Sequence, residues 1–150
     1  MARKELPTGL YFVRNVQANK WLGHVRTQWG VGPEKVILLP DGSKTPFFHV
    51  EKNEDETYVI SVSGLTTIEI EGKVYCMPLA HADAPKWAIE HVEHPDNEFL
   101  YTIKNPNFPQ GWTVNQQTAY AQISVDPFAS TTPDGAVFEI SPAERIGQNA

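Results

Sequence analysis

The sequence predicts an all-β protein of twelve short strands. The 12 prolines and 10 glycines are scattered along all 150 residues, and they divide the chain into pieces too short for ordinary helices. Within these pieces apolar and polar residues alternate with period two, and no helical period is sustained. Turn-forming pairs separate several pieces: Asp41-Gly42, Glu71-Gly72 and Asp134-Gly135. The predicted strands are residues 10–15, 20–25, 35–39, 47–51, 58–62, 66–70, 74–79, 87–92, 100–105, 112–116, 120–125 and 136–141.

An internal repeat in the sequence indicates which all-β architecture the chain adopts. Three segments open on a tyrosine, Tyr11, Tyr58 and Tyr101, spaced roughly 45 residues apart. Each segment closes on a strand with two apolar residues separated by one other residue: Phe48 and Val50, Trp87 and Ile89, Phe138 and Ile140. Twelve strands in three four-stranded units predict a β-trefoil, closed and pseudo-threefold, as a single domain over 1–150. The predicted repeats are about 9–56, 57–98 and 99–144.

Charge and composition exclude several classes of function. The formal net charge of -6 opposes binding to nucleic acid, and no apolar run approaches the roughly 20 residues that span a membrane. One cysteine cannot form an intrachain disulfide. Because residues 1–7 are followed by no apolar signal segment, we expect a cytoplasmic protein that is released on tissue damage, or one secreted by an unconventional route. We also expect a monomer.

Catalytic motifs are missing from the sequence. We find no Gly-x-Ser-x-Gly, no phosphate-binding glycine loop and no His-Glu-x-x-His. The spacing of His81, His91 and His94 matches no set of metal ligands, and Cys76 lies in an apolar strand that predicts a packed side chain. The sequence therefore predicts a protein that is not an enzyme and holds neither metal nor cofactor.

A carbohydrate-binding protein is one alternative for this fold class. The Gln-x-Trp signature of such lectins is missing from the last strand of all three repeats. The single Gln-x-Trp sequence, at residues 110–112, lies elsewhere in its repeat, so we expect Trp112 to be packed. Trp21 or Trp29 would suit stacking on a sugar ring if it were exposed.

The connection between the second and third predicted strands is the most informative irregularity. Its counterpart in the second repeat is the pair Glu71-Gly72, and in the third a turn near 117–119. Residues 25–34 instead hold an aromatic side chain, two glycines, a proline and the lone basic residue Arg26. Since long connections in compact domains often serve recognition, we interpret this one as a recognition loop.

Several segments resemble one known family. Residues 9–16 (GLYFVRNV), 21–23 (WLG), 35–40 (KVILLP) and 84–89 (APKWAI) look like the mushroom β-trefoil serine protease inhibitors of the cospin and cnispin type. The likeness covers about residues 7–142 and is one of pattern and length rather than of a unique signature.

This resemblance implies inhibition of a trypsin-like serine protease by the loop between the second and third strands. It implies that Arg26 enters the specificity pocket of the enzyme, with Lys35 as a weaker candidate. A defensive role against animals that eat the fungus is implied in the same way. The predicted protease-binding residues are Val25, Arg26, Thr27, Gln28 and Trp29.

The related mycocypins leave a second alternative open. They inhibit papain-like cysteine proteases or asparaginyl endopeptidase through other loops, which here would be residues 16–19 and 63–65. Asn19 would suit an asparagine-specific enzyme, although asparagine before a strand is also a common turn residue.

Overall fold

The computed structural model describes residues 5–25, 32–128 and 130–143. These residues form twelve β-strands and two short 3₁₀ helices, at His81–Asp83 and Asp134–Ala136, which confirms the predicted all-β class. No helix among them is long and apolar enough to span a membrane. The strands are β1 Gly9–Asn15, β2 Lys20–Val25, β3 Glu34–Leu38, β4 Phe48–Lys52, β5 Tyr58–Val62, β6 Leu65–Ile70, β7 Lys73–Met77, β8 Ala88–His91, β9 Leu100–Lys104, β10 Gln110–Thr113, β11 Ser124–Pro127 and β12 Phe138–Pro142.

The strand pairings recur three times along the chain. Within the successive units β1 pairs with β4, β5 meets β8 at the Tyr58–Trp87 bridge, and β9 pairs with β12. The pairs β4–β5, β8–β9 and β12–β1 join the units, so these six strands form a closed ring of antiparallel pairings. The other six form the hairpins β2–β3, β6–β7 and β10–β11. The hairpins meet through β3–β7, β7–β11 and the Ile37–Gln122 bridge.

The core is built from the apolar residues that mark the repeats. Tyr11, Tyr58 and Tyr101 are all buried, and so are most of the residues that close each unit. The Trp112 ring lies 5.4 Å from Trp87 and 6.3 Å from Phe138, both edge to face. The predicted packing of Trp112 is thus confirmed, and aromatic contact at the centre joins side chains from the second and third units.

The third hairpin corrects one sequence prediction. A short turn was expected near 117–119, but β10 ends at Thr113 and β11 begins at Ser124, so residues 114–123 connect them. Several of their backbone groups bond to other elements: the N–H of Val114 donates to the Gly135 carbonyl and that of Ile123 to the Val36 carbonyl, both at 2.9 Å. The prediction of a short turn in the third hairpin is therefore wrong, and the β2–β3 hairpin is not alone in having a long connection.

Candidate functional site

The first hairpin fixes where the predicted recognition loop attaches. Strands β2 and β3 pair in a register that runs from Leu22–Leu38 to Val25–Lys35. Val25 is exposed at the end of β2. The predicted contact residues Arg26, Thr27, Gln28 and Trp29 lie outside the described residues, so their roles stay predictions. The described hairpin brings the two ends of their connection together as neighbouring, paired strands.

His24 makes two side-chain contacts at the end of this hairpin from which the connection leaves. Its Nδ1 lies 2.7 Å from Glu34 Oε1, and its Nε2 lies 2.9 Å from the hydroxyl oxygen of Ser63. Because a carboxylate accepts but does not donate, Nδ1 carries a proton and donates to Glu34. In the neutral ring Nε2 then accepts a hydrogen bond from the Ser63 hydroxyl. Sequence reasoning missed this arrangement, since no local pattern joins residues 39 positions apart.

Lys35, the weaker candidate for the specificity pocket, lies within the sheet rather than in a loop. It is exposed, but it lies within β3 and pairs with Val25 on one side and Tyr75 of β7 on the other. Its main chain is therefore part of the sheet on both edges. A protease binds its substrate by pairing with free, extended backbone, and such backbone is not available at Lys35.

The loops of the mycocypin-like alternative are compact turns. Asn19 is exposed with φ 53°, its N–H donates to the Asn15 carbonyl at 2.9 Å, and Arg14 Nη1 donates to its side-chain oxygen at 2.7 Å. Ser63 and Gly64 form a two-residue turn with φ 53° and 79°. Left-handed backbone of this kind differs from the extended chain that proteases bind, so Asn19 stays a prediction without added support.

The environments of the residues considered for catalysis and metal binding do not favour either role. Cys76 is fully buried, and burial together with the nearby Glu34 carboxylate raises the pKa of its thiol to about 12. A thiol with this pKa remains protonated at neutral pH and is a poor nucleophile. His91 contacts the Glu98 carbonyl through Nε2 at 3.0 Å. Within the described ranges, no group of three histidine, cysteine or acidic side chains is placed to hold a metal ion.

Trp21, Phe12 and Phe47 form an aromatic cluster with Phe12 at its centre. Phe12 lies between Trp21 and Phe47, with ring centroids 5.9 Å and 4.9 Å away, and half of Phe47 is exposed. Sequence analysis singled out Trp21 but missed its contact with Phe12 and that of Phe12 with Phe47. The available signal was alternation in β1, where Phe12 separates the buried Tyr11 and Val13 and so faces the opposite side of the strand.

A polar cleft of about 440 Å³ lies between the β4–β5 and β7–β8 connections. Its lining includes Asp55, His81 and Lys86. The Asp55 carboxylate accepts hydrogen bonds from the hydroxyl and the N–H of Thr57, and these, together with Lys86, lower its pKa. The carboxylate is thus already bound by the protein's own donors.

Comparison with known proteins identifies the class. A family model of peptidase inhibitors matches residues 4–141, nearly the whole chain. The match defines the protein as a member of a peptidase inhibitor family. It supports the resemblance to protease inhibitors, while the serine protease type stays a prediction. The chain belongs to the peptidase inhibitor I66 family. No curated protein matches the sequence.

Solved structures share the fold at low sequence identity. A proteinase inhibitor from Coprinopsis cinerea is 21% identical, with a TM-score of 0.76 over 93% of this chain and 100% of its own. A ricin B-like lectin from Macrolepiota procera, solved in complex with lactose, is 13% identical, with a TM-score of 0.66 over 93% of this chain and 99% of its own. A salivary protein from Culex quinquefasciatus is 17% identical, with a TM-score of 0.69 over 93% of this chain and 96% of its own.

Proposed function

We propose that this peptidase inhibitor is a β-trefoil protein that blocks trypsin-like serine proteases through the β2–β3 connection, with Arg26 in the specificity pocket. One observation carries the proposal. Among the three hairpin connections, the β6–β7 turn is Glu71-Gly72 and residues 114–123 contain neither lysine nor arginine. The connection between Val25 and Glu34 alone offers a basic side chain, and an acidic pocket selects such a side chain.

The proposed mechanism uses the connection as a substrate. Val25 and Thr27 pair their backbone groups with the enzyme, while the Arg26 guanidinium reaches the carboxylate at the base of the pocket. The planar fork of arginine makes two charge-assisted hydrogen bonds there, which offset the cost of burying the charge. Because β2 and β3 hold both ends of the connection, binding orders fewer free residues and affinity rises.

The first experiment measures inhibition of trypsin, chymotrypsin and papain by the wild-type protein, Arg26→Ala and Arg26→Glu. We expect trypsin inhibition in the wild type and a loss of about a hundredfold or more in Arg26→Glu, because a like charge then faces the acidic pocket unpaired. Lys35→Ala is the matched control: it removes an exposed cation from the same hairpin, and its inhibition should stay within about threefold of wild type. Full inhibition by Arg26→Glu would place the site elsewhere.

Two other outcomes correspond to the alternatives. Papain inhibition that is independent of Arg26 would indicate the mycocypin-like loops at 16–19 and 63–65. Glycan binding is the second candidate, supported by the aromatic cluster of Phe12, Trp21 and Phe47, in which Phe47 is exposed and the other two rings are partly exposed. A glycan array should then detect binding that is lost in Trp21→Ala and kept in Arg26→Ala.

A further inference from the structure

His24 holds three parts of the chain together at the end of the first hairpin from which the β2–β3 connection leaves. It lies on β2 opposite Val36, which places Glu34 diagonally across the hairpin, at the end of the β2–β3 connection. Ser63 belongs to the β5–β6 turn in the second predicted repeat. The imidazole ring of His24, on one flank of the connection, therefore contacts Glu34 on the other flank and Ser63 in a neighbouring unit.

Partial burial strengthens the contact between His24 and Glu34, whereas the contact between His24 and Ser63 is exposed. The His24 and Glu34 side chains are exposed by only 19% and 17%. Hydrogen bonds to a carboxylate are stronger than those between neutral groups, and reduced contact with water strengthens them further. The Ser63 backbone is held in its turn by Gly64 and by the Val62–Leu65 pair, so its hydroxyl is presented from a fixed position.

We propose that His24 is a positioning residue of the inhibitor, and that His24, Glu34 and Ser63 form a clamp that holds both ends of the β2–β3 connection during attack by a protease. The clamp rests on the proposed function. It performs the task that a disulfide performs in many small inhibitors, which this chain with its single cysteine cannot form internally.

The chemistry explains why holding the ends matters. When a serine protease attacks the Arg26 carbonyl carbon, the Arg26–Thr27 bond breaks, an acyl ester forms on the serine, and the Thr27 nitrogen takes up a proton and leaves as an amine. If the amine stays close, it loses a proton, attacks the ester and expels the serine before water does so. The bond is then remade, because a tethered amine has a high effective concentration. The clamp would keep this amine in place through Glu34, seven residues further along the chain.

The test compares variants of the clamp with a matched histidine elsewhere. His24→Leu removes both ring contacts, Ser63→Ala removes one, and Glu34→Gln keeps an oxygen that accepts from Nδ1. His91→Leu is the control, since His91 also bonds through a ring nitrogen and packs on Tyr101 at 5.4 Å, in β8, far from this hairpin in the chain. Trypsin cleavage of the Arg26–Thr27 bond is followed by mass spectrometry, and the inhibition constant is measured alongside.

We expect His24→Leu to be cleaved about tenfold faster and to bind about tenfold more weakly, with Ser63→Ala intermediate and Glu34→Gln nearest to wild type. His91→Leu should be cleaved at the wild-type rate even if its melting temperature falls equally. Wild-type cleavage of His24→Leu, or equal acceleration in His91→Leu, would overturn the clamp. If His24→Leu does not fold, Ser63→Ala carries the same comparison.

Hydrogen exchange separates this proposal from the proposed function, because it needs no protease. The amides of β2 and β3 should exchange about tenfold faster in His24→Leu than in His91→Leu, each relative to wild type. Unchanged exchange overturns the clamp whatever the inhibition result. A wild-type protein that fails to inhibit trypsin while His24→Leu still exchanges faster would overturn the proposed function and leave the clamp as a device that orders this hairpin.

Discussion

The hairpins β2–β3 and β6–β7 pair with each other through β3 and β7, but they end differently. In β6–β7 the paired residues Ile70 and Lys73 flank the two-residue turn Glu71-Gly72. In β2–β3 the pair Val25–Lys35 is followed by a connection that contains Arg26. Both hairpins bury apolar residues in the same core, so the core does not depend on the length of the connection. A recognition sequence can therefore vary at one hairpin while the packing below it is kept.

Exchanging the connections tests this difference most strongly. If the proposed function holds, replacing residues 26–34 with Glu-Gly should reduce trypsin inhibition by about a thousandfold or more, because Arg26, the proposed pocket residue, is removed. The circular dichroism spectrum should remain that of a folded β protein. Retained inhibition would mean that the two hairpins do not differ in function.

Trp87→Phe tests whether the core can be weakened without affecting the connection. Trp87 Nε1 donates to Thr67 Oγ1 at 3.0 Å, so we expect a loss of about 2–3 kcal/mol of unfolding free energy in urea. Inhibition per folded molecule should be unchanged.

Trp112→Phe is the matched control for this prediction. Trp112 Nε1 is buried without a hydrogen-bond partner among the described residues, so its removal breaks no hydrogen bond there. We expect a cost about 1 kcal/mol smaller than that of Trp87→Phe. A larger cost in Trp112→Phe would contradict the hydrogen-bond argument.

Gly72→Ala tests the turn that closes the second hairpin. Gly72 has φ 79°, and its N–H donates to Glu69 Oε2 at 3.2 Å. A side chain at this φ costs about 1–2 kcal/mol, which a thermal unfolding experiment would detect as a lower melting temperature. Trypsin inhibition should not change; if it falls, the second hairpin also contributes to the site.

Glu71→Asn should have the smallest effect, and in the opposite direction. Glu71 has φ 51°, a conformation that asparagine adopts more readily. We expect a gain of about 0.5 kcal/mol in unfolding free energy, measured in urea. A loss of stability would show that the Glu71 side chain makes a contribution in the folded protein that outweighs its backbone strain.

Local pattern was sufficient for most of the strands. Residues 20–25 and 58–62 were predicted with the bounds that the structure has, because alternation in a half-buried strand is encoded residue by residue. Prediction was poorest at β10 and β11. There the backbone of residues 114–123 bonds to Gly135, Val36 and other partners distant in the chain. The pattern of neighbouring residues does not predict such partners. For the candidate site, the sequence and its family resemblance predict Arg26, which lies outside the described residues and stays a prediction. The contacts of His24 with Glu34 and Ser63 were not predicted.

The sequence by itself determined the all-β class, the threefold recurrence of aromatic residues and the basic residue Arg26 in the first hairpin connection, since each depends only on residue type and spacing along the chain. The tertiary structure decided which distant groups meet: the hydrogen bond from Trp87 to Thr67, the ring of six paired strands and the contacts of His24 with Glu34 and Ser63. The physical reason is that alternation and turn chemistry act over a few residues, while hydrogen bonds between units depend on how the closed sheet brings those units together.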